Sequence, residues 1–198
     1  MKKIFQFITA IAIVVPVAIS ATSEPSSEAP LLTAAAISQE IKAMPANAAV
    51  DQPLRTVDEG TANVGIFIVH RPQEPDQGCT IEHDTLVNDR TTSIFLVVDG
   101  AGTLVTGGRL ANPVPLSSDD PDLKLVGSGS RGNGIQNGQS RRISKGDVVI
   151  IPAGVPHGFS AIEKSITYEV VRIDSGKTCR SSNHNPANNN EHFTSGST

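Results

Sequence analysis

Aromatic side chains and clustered positive charge are scarce in this chain. Its 198 residues include no Trp, one Tyr and six Phe, so it offers few of the exposed aromatic faces that sugar-binding and base-stacking surfaces use. Lysine and arginine total 16 against 20 acidic residues, and the nearest approach to a basic run is Arg141-Arg142. Phosphate binding needs clustered positive charge, so we expect no nucleic-acid partner. The length predicts one domain with terminal extensions.

A hydrophobic run long enough to span a membrane is also missing. The most apolar segment, Ile4 to Ile19, is broken by Pro16 and is shorter than the roughly 20 apolar residues of a spanning helix. It follows Lys2-Lys3, and the small residues Ala18, Ser20 and Ala21 at its end offer a cleavage site, which is the pattern of a secretory signal peptide. We therefore predict a signal peptide over residues 1–21, a secreted or periplasmic protein, and no stable membrane insertion after cleavage. An uncleaved anchor is the alternative.

Only two cysteines are present, Cys79 and Cys179. Export places them in an oxidising compartment, where a disulfide between them would close a loop of about 100 residues and stabilise the fold by on the order of 4–5 kcal/mol. Neither cysteine belongs to a C-x-x-C motif. We therefore rank the disulfide first, two buried thiols second, and thiolate chemistry last.

Local patterns divide the mature chain into three parts. Residues 22–53 form a polar linker containing a short helix, Leu31 to Met44, which Pro45 ends. Residues 54–174 consist of short strands separated by Gly/Pro turns, the pattern of an all-β sandwich or barrel. Residues 175–198 form an Asn/Ser-rich tail with almost no apolar residues, which we predict to be disordered.

Two local features inside the β region carry specific predictions. Ser93 to Val98 has the composition of a strand, and Asp99-Gly100 after it is a hairpin signal that would return the chain along Gly102 to Thr106. Further along, Leu123 to Val126 is predicted to form a short strand.

The most informative motif is Gly146-x5-Pro152-x-Gly154-x2-His157. It resembles the second motif of the cupin superfamily, and the chain is most similar to small exported single-domain cupins. The resemblance implies an RmlC-like jelly-roll β-barrel in which the turn aims His157 into the barrel mouth, where a neutral imidazole can bind a divalent metal. Ala161 stands where the family pattern has Asn. The alternative for His157 is a turn histidine bonded to the backbone.

The first cupin motif is depleted in this chain. Its closing glycine matches Gly100, its Glu place is Ser93, and its two His places fall within residues 86–89, none of which is His. The nearest imidazole is His83, which a small insertion before Ser93 would bring into the motif. The resemblance thus implies one divalent metal, Mn, Fe, Ni or Zn, bound by His83 and His157.

A third metal ligand is not evident. Catalytic metal sites normally have three protein ligands and an open position. If the segment is a regular strand, Glu82 and Asp84 point away from the face of His83, while Asp89 shares its parity but sits at a predicted turn. The sequence therefore assigns no reaction and leaves enzyme activity open.

A ligand pocket can be outlined from strand parity. Phe95 and Val97 share the parity of Ser93, and with Phe159 they would line a mostly apolar pocket for a small-molecule ligand. The alternative is a non-catalytic cupin, a ligand-binding or structural module that has lost the metal site, since the fold hosts many functions. The resemblance also implies a homodimer formed through sheet edges.

Overall fold

A computed structural model describes residues 29–73 and 85–179 of the chain. Its elements in chain order are α1 (Ala34–Ala43), β1 (Val50–Asp58), β2 (Asn63–Pro72), β3 (Thr85–Asn88), β4 (Thr91–Thr106), β5 (Arg109–Leu110), β6 (Val114–Pro115), α2 (Leu123–Val126), β7 (Gly129–Gly132), β8 (Ile135–Gln136), β9 (Gln139–Ser144), β10 (Val148–Ile151) and β11 (His157–Asp174). Among these described residues, none of the helices has the length and apolarity needed to cross a membrane. The predicted signal peptide and residues 180–198 of the predicted tail lie outside the described ranges.

Two long strands organise the barrel. β4 and β11 pair antiparallel from His157 opposite Thr106 to Asp174 opposite Thr91. Strand β11 also pairs with β2, which pairs with β1, while β4 pairs with β9 and β10 on its other side. Strands β3, β7 and β6 extend the sheet beyond His157. The result is an all-β jelly-roll barrel with a short helix before it, as the sequence predicts.

Period-two alternation in the sequence places the core inside this barrel. Along β4, burial alternates residue by residue from Thr91 to Val97, because successive side chains of a strand point to opposite faces. The core cluster is Phe67, Val69, Phe95, Val97, Leu104, Ile143, Ile151, Ile166, Tyr168 and Val170. These side chains come from β2, β4, β9, β10 and β11 and pack together inside the barrel.

The predicted hairpin at Asp99-Gly100 is wrong, because β4 is one strand of 16 residues that passes through both positions. Gly100 has φ +75°, and a Cβ there would overlap the carbonyl oxygen of Ser165 on β11. The glycine therefore lets β4 bend against its neighbour without turning back. The local Asp-Gly signal is overridden by pairing with β11 along the whole strand.

The predicted strand at Leu123 to Val126 is also wrong, because this segment is the helical turn α2. The Asp122 carbonyl accepts hydrogen bonds from the amides of Leu125 and Val126 at 2.8 Å. The Asp120 carboxylate accepts from the Asp122 amide at 2.9 Å, which turns the chain immediately before. These local bonds favour a helical turn over an extended segment.

Both ends of the domain are fixed by hydrogen bonds. Helix α1 is capped by Thr33, whose hydroxyl accepts from the Ala36 amide at 3.2 Å, and it ends before Pro45 as predicted. At the other end, the buried Asp174 carboxylate accepts from the amides of residues 176, 178 and 179. Asn63 donates to the Cys179 carbonyl at 2.7 Å. Residues 175–179, assigned from sequence to the tail, thus fold back onto the barrel end.

Candidate functional site

A small cavity lies at the end of the barrel where β11 begins. Its polar lining consists of Asp51, Arg71, Asn88, Ser93, His157, Tyr168 and Arg172, and its apolar lining includes Leu86, Phe95, Leu104, Val126 and Phe159. We call this the mouth cavity. Its volume is about 40 Å³, which is room for about three waters at roughly 10–15 Å³ each.

The turn before β11 places His157 on the cavity wall. Gly154, at φ +79°, donates its amide to the Asn88 carbonyl at 2.7 Å, and β11 then starts at His157, which pairs with both Thr106 and Leu86. The ring meets Phe95 edge-on, with centroids 6.0 Å apart. The motif therefore directs this imidazole inward, as the resemblance to the second cupin motif implies.

The environment of His157 keeps the ring neutral. Its side chain is buried, and Nδ1 lies 3.0 Å from the Val155 carbonyl oxygen, which can only accept. Nδ1 therefore donates, and the lone pair resides on Nε2. Burial lowers the pKa of His157 to about 4; the Val155 hydrogen bond opposes this shift, and the charges of Arg172 and Arg71 add to it. At neutral pH the site offers an uncharged imidazole.

Two guanidinium groups share the cavity with this imidazole. Arg172 binds both carboxylate oxygens of Asp51, at 3.1 and 2.5 Å, and also donates to the Leu125 carbonyl at 3.1 Å. It stacks over the Phe67 ring at 4.2 Å. Arg71 donates from Nε to the Tyr168 hydroxyl at 3.0 Å. The cavity is thus more polar than the apolar pocket expected from strand parity.

Three of the four residues assigned from sequence to the pocket lie on this wall, namely Ser93, Phe95 and Phe159. Val97 does not line the cavity: it is 2% exposed and belongs to the core cluster. Parity alone led to this assignment, since Val97 does face inward like Phe95. Val97 packs in the same core cluster as Phe95 and Tyr168, whose tilted rings have centroids 4.6 Å apart.

The described residues do not by themselves form a metal site. Within residues 29–73 and 85–179, no three His, Cys, Asp or Glu side chains are grouped so that they could hold a metal ion. His157 supplies one donor, and the guanidinium groups of Arg71 and Arg172 line the same space, where their charge disfavours a divalent cation. Asp89, the carboxylate sharing the parity of His83, is exposed.

The remaining site predictions fall partly outside the described ranges. His83 and Cys79 both lie there, so the metal pair and the disulfide stay predictions. Cys179 is a buried thiol in the structure, with Sγ 3.3 Å from the Leu125 carbonyl oxygen. Burial raises the pKa of this thiol to about 12, with the charge of Asp174 adding to the shift, so the reduced cysteine is a poor nucleophile.

Five polar residues of the cavity lining were missed by sequence reasoning: Asp51, Arg71, Asn88, Tyr168 and Arg172. One signal was available, because Tyr168 and Arg172 share the inward parity of the apolar residues Ile166 and Val170 on β11. An arginine in such a series indicates a buried, paired charge. Asp51 lies 121 residues before its partner Arg172 in the sequence, so no local pattern indicates that it belongs to the cavity.

Comparison with known proteins agrees with this architecture. A family model described as Cupin matches residues 85–190, more than half of the chain. This chain belongs to the cupin family. Comparison with curated proteins finds no match for this cupin.

Solved structures with similarity to this cupin share little sequence with it. The cupin domain of Cnp3 from Schizosaccharomyces pombe is 11% identical, with a TM-score of 0.42, over 68% of this chain and 66% of that one, so this chain spans just under two thirds of its length. A double-stranded β-helix protein from Klebsiella pneumoniae is 15% identical, with a TM-score of 0.40, over 76% and 94%. An RmlC-like cupin from Methanocaldococcus jannaschii is 13% identical, with a TM-score of 0.36, over 66% and 84%.

Proposed function

We propose that this protein is an exported cupin that binds a small polar molecule in the mouth cavity. The observation that supports this proposal is the convergence of His157, Ser93 and Tyr168 on one partly open space of about 40 Å³. That volume suits a compact ligand, or the polar end of a larger one. Binding in such a site depends on a few convergent polar groups that fix the orientation of the ligand.

The chemistry of these groups defines the ligand further. Nε2 of neutral His157 accepts a hydrogen bond, while the hydroxyls of Ser93 and Tyr168 can donate or accept. A ligand carrying both hydroxyl and acceptor oxygens, such as a small hydroxy acid or a sugar fragment, would satisfy this set. No reaction is proposed. A non-catalytic cupin, a ligand-binding or structural module that has lost the metal site, explains the depleted first motif as well as an enzyme does.

Thermal shift tests this binding. The mature protein is screened against a panel of small organic acids and sugars, together with His157→Gln. The control is His70→Gln, because His70 lies outside the cavity lining and bonds Thr167 Oγ1 at 2.9 Å. We expect at least one compound to raise the Tm of the wild type and of the control but not of His157→Gln. A compound that stabilises all three proteins equally would contradict binding at His157.

A metal-dependent form is the second candidate, with His157 and His83 as ligands for Mn, Fe, Ni or Zn. It is favoured by the Nε2 lone pair of His157 and by family membership. It is disfavoured by the guanidinium groups of Arg71 and Arg172 beside that ring. Elemental analysis of the mature protein, with His83→Ala and His157→Ala, decides the matter. Metal lost only on substitution supports this candidate, whereas a metal-free wild type that ignores added ions rejects it.

Export is proposed from the N-terminal pattern of Lys2-Lys3 followed by an apolar stretch and small residues. The full-length chain is expressed in a bacterial host and the protein outside the cytoplasm is weighed by mass spectrometry. We expect a chain that has lost about residues 1–21. Full-length protein held with the cell membrane would support the uncleaved anchor instead.

A further inference from the structure

A cleft separate from the mouth cavity opens between β9 and β10. Its volume is about 380 Å³, within the range of roughly 300–1,000 Å³ found for small-molecule sites. The mouth cavity is about a tenth of that size. None of the residues lining one space also lines the other. The cleft therefore has room for a whole organic molecule.

The floor of the cleft is apolar and belongs to the packed interior. Val149, Ile151 and Val155 line it. Ile151 is 2% exposed and belongs to the core cluster, and the other two pack against that cluster. Because close-packed core residues move little, this floor presents a preformed apolar surface.

The rim of the cleft carries one guanidinium group. Arg141 and Gln139 line the cleft, on the same parity of β9 as the core residue Ile143. Arg141 donates to the Gln139 side-chain oxygen at 2.6 Å, and among the described residues it makes no ion pair. Its neighbour Arg142 points to the other face and binds Glu163 at 2.7 and 3.1 Å.

We propose that this cleft binds a small organic anion with an apolar body. The carboxylate would be held by Arg141, whose planar fork matches a carboxylate in a bidentate pair. The apolar body would lie on Val149, Val155 and the exposed side chain of Ile150, above buried Ile151. Arg141 is exposed, so water solvates its charge in the free protein. A cation would be repelled by it, and a neutral ligand would form no charge-assisted pair with it.

Titration calorimetry with three probes tests this assignment on the intact mature protein. The probes are 4-phenylbutanoate, its neutral amide 4-phenylbutanamide, and acetate, which has the charge without the body. The variants are Arg141→Gln and the matched control Arg142→Gln. We expect the wild type to bind 4-phenylbutanoate about two- to fivefold more tightly than the amide, because the pair with exposed Arg141 is charge-assisted but partly screened by water. Acetate should bind far more weakly, since each buried methylene contributes about fourfold.

Arg141→Gln should reduce the affinity for 4-phenylbutanoate about two- to fivefold and leave the amide unchanged, while Arg142→Gln should change neither. Equal binding of acid and amide, equal losses in the two variants, or no binding of any probe at millimolar concentration would overturn the proposal. His157→Gln separates the two sites: loss of 4-phenylbutanoate binding in that variant would move the ligand to the mouth cavity and also overturn it.

Discussion

At the scale of single residues, the mouth cavity combines groups that are costly to bury alone. His157 is held neutral by burial, with its pKa near 4. Arg172 keeps its charge and is compensated by Asp51 and the Leu125 carbonyl. A buried charge is tolerated only when it is paired and hydrogen-bonded. The polar lining therefore depends on specific partners, which makes it testable by substitution.

The buried imidazole predicts a pH dependence of stability. The folded-state pKa of His157, about 4, lies below its ordinary value of 6.5. The stability it contributes is therefore present above pH 6.5 and is lost as pH falls towards 4, by on the order of 3 kcal/mol. Urea titrations from pH 7 to pH 4 should show a steeper loss for the wild type than for His157→Gln. Parallel curves would show that the imidazole does not titrate this way.

Because the ion pair between Arg172 and Asp51 is mostly buried, loss of Asp51 should destabilise the protein much more than loss of Glu163, whose ion pair is exposed. Asp51→Asn leaves Arg172 buried, with a side chain that is 7% exposed, and should reduce the free energy of unfolding by about 2–3 kcal/mol. Glu163→Gln breaks the pair with Arg142, whose side chains are 58% and 55% exposed, and should cost less than about 1 kcal/mol. Urea denaturation measures both. Similar losses would mean that the Asp51 pair behaves as a surface contact.

At the scale of elements, the cavity depends on two bent strands and one turn. β4 and β11 pair along their lengths, with register shifts between Phe159 and Ala161 and between Glu163 and Ile166 that mark where the pair bends. The bend brings Ser93 and Leu104 of β4 to the same cavity. The turn at Gly154 then adds His157. Each of these glycine and bulge positions fixes where a cavity side chain points.

Gly100, at a bend in β4, and Gly154, in the turn before β11, both have positive φ but differ in how closely other atoms approach them. Gly100→Ala combines a positive φ of +75° with overlap of the Ser165 carbonyl, whereas Gly154→Ala has a φ of +79° and no atom within 4 Å of the new Cβ. The strain common to both is about 1–2 kcal/mol, and overpacking adds roughly 1–3 kcal/mol at Gly100 alone. We therefore expect Gly100→Ala to lower the free energy of unfolding more. Equal losses on denaturation would argue against a tight contact between β4 and β11.

At the scale of the whole molecule, the sequence predicted the barrel and one side of its site. The glycine and proline motif before His157 is local, so its resemblance to the second cupin motif could indicate where that imidazole would point. Asp99-Gly100 was misleading, because strand pairing with distant β11 overrides a local turn signal. Asp51 could not be predicted as a cavity residue, because its partner Arg172 is far along the chain. Local sequence motifs therefore predicted the orientation of His157, whereas contacts between residues far apart in the chain could not be predicted.

The disulfide prediction belongs to this scale because it would link the segment after β2 to the end of the barrel. Residues 175–179 fold back so that Cys179 is buried near Leu125. If Cys79 and Cys179 are bridged, a thiol reagent added to the exported protein under denaturing, non-reducing conditions should label no cysteine. Labelling after reduction, as the control, should find two. Two reactive thiols before reduction would disprove the bridge.

The central claim, a ligand-binding mouth cavity in which neutral His157 accepts a hydrogen bond at Nε2, is tested most directly by ¹⁵N spectra of the histidine rings. They are recorded at pH 7 with and without a compound that raises the Tm in the thermal-shift screen. We predict that His157 carries its proton on Nδ1 in the free protein and that the Nε2 resonance moves upfield when the compound binds. A ring that is already protonated at pH 7, or an Nε2 resonance unchanged at saturation, would contradict the account.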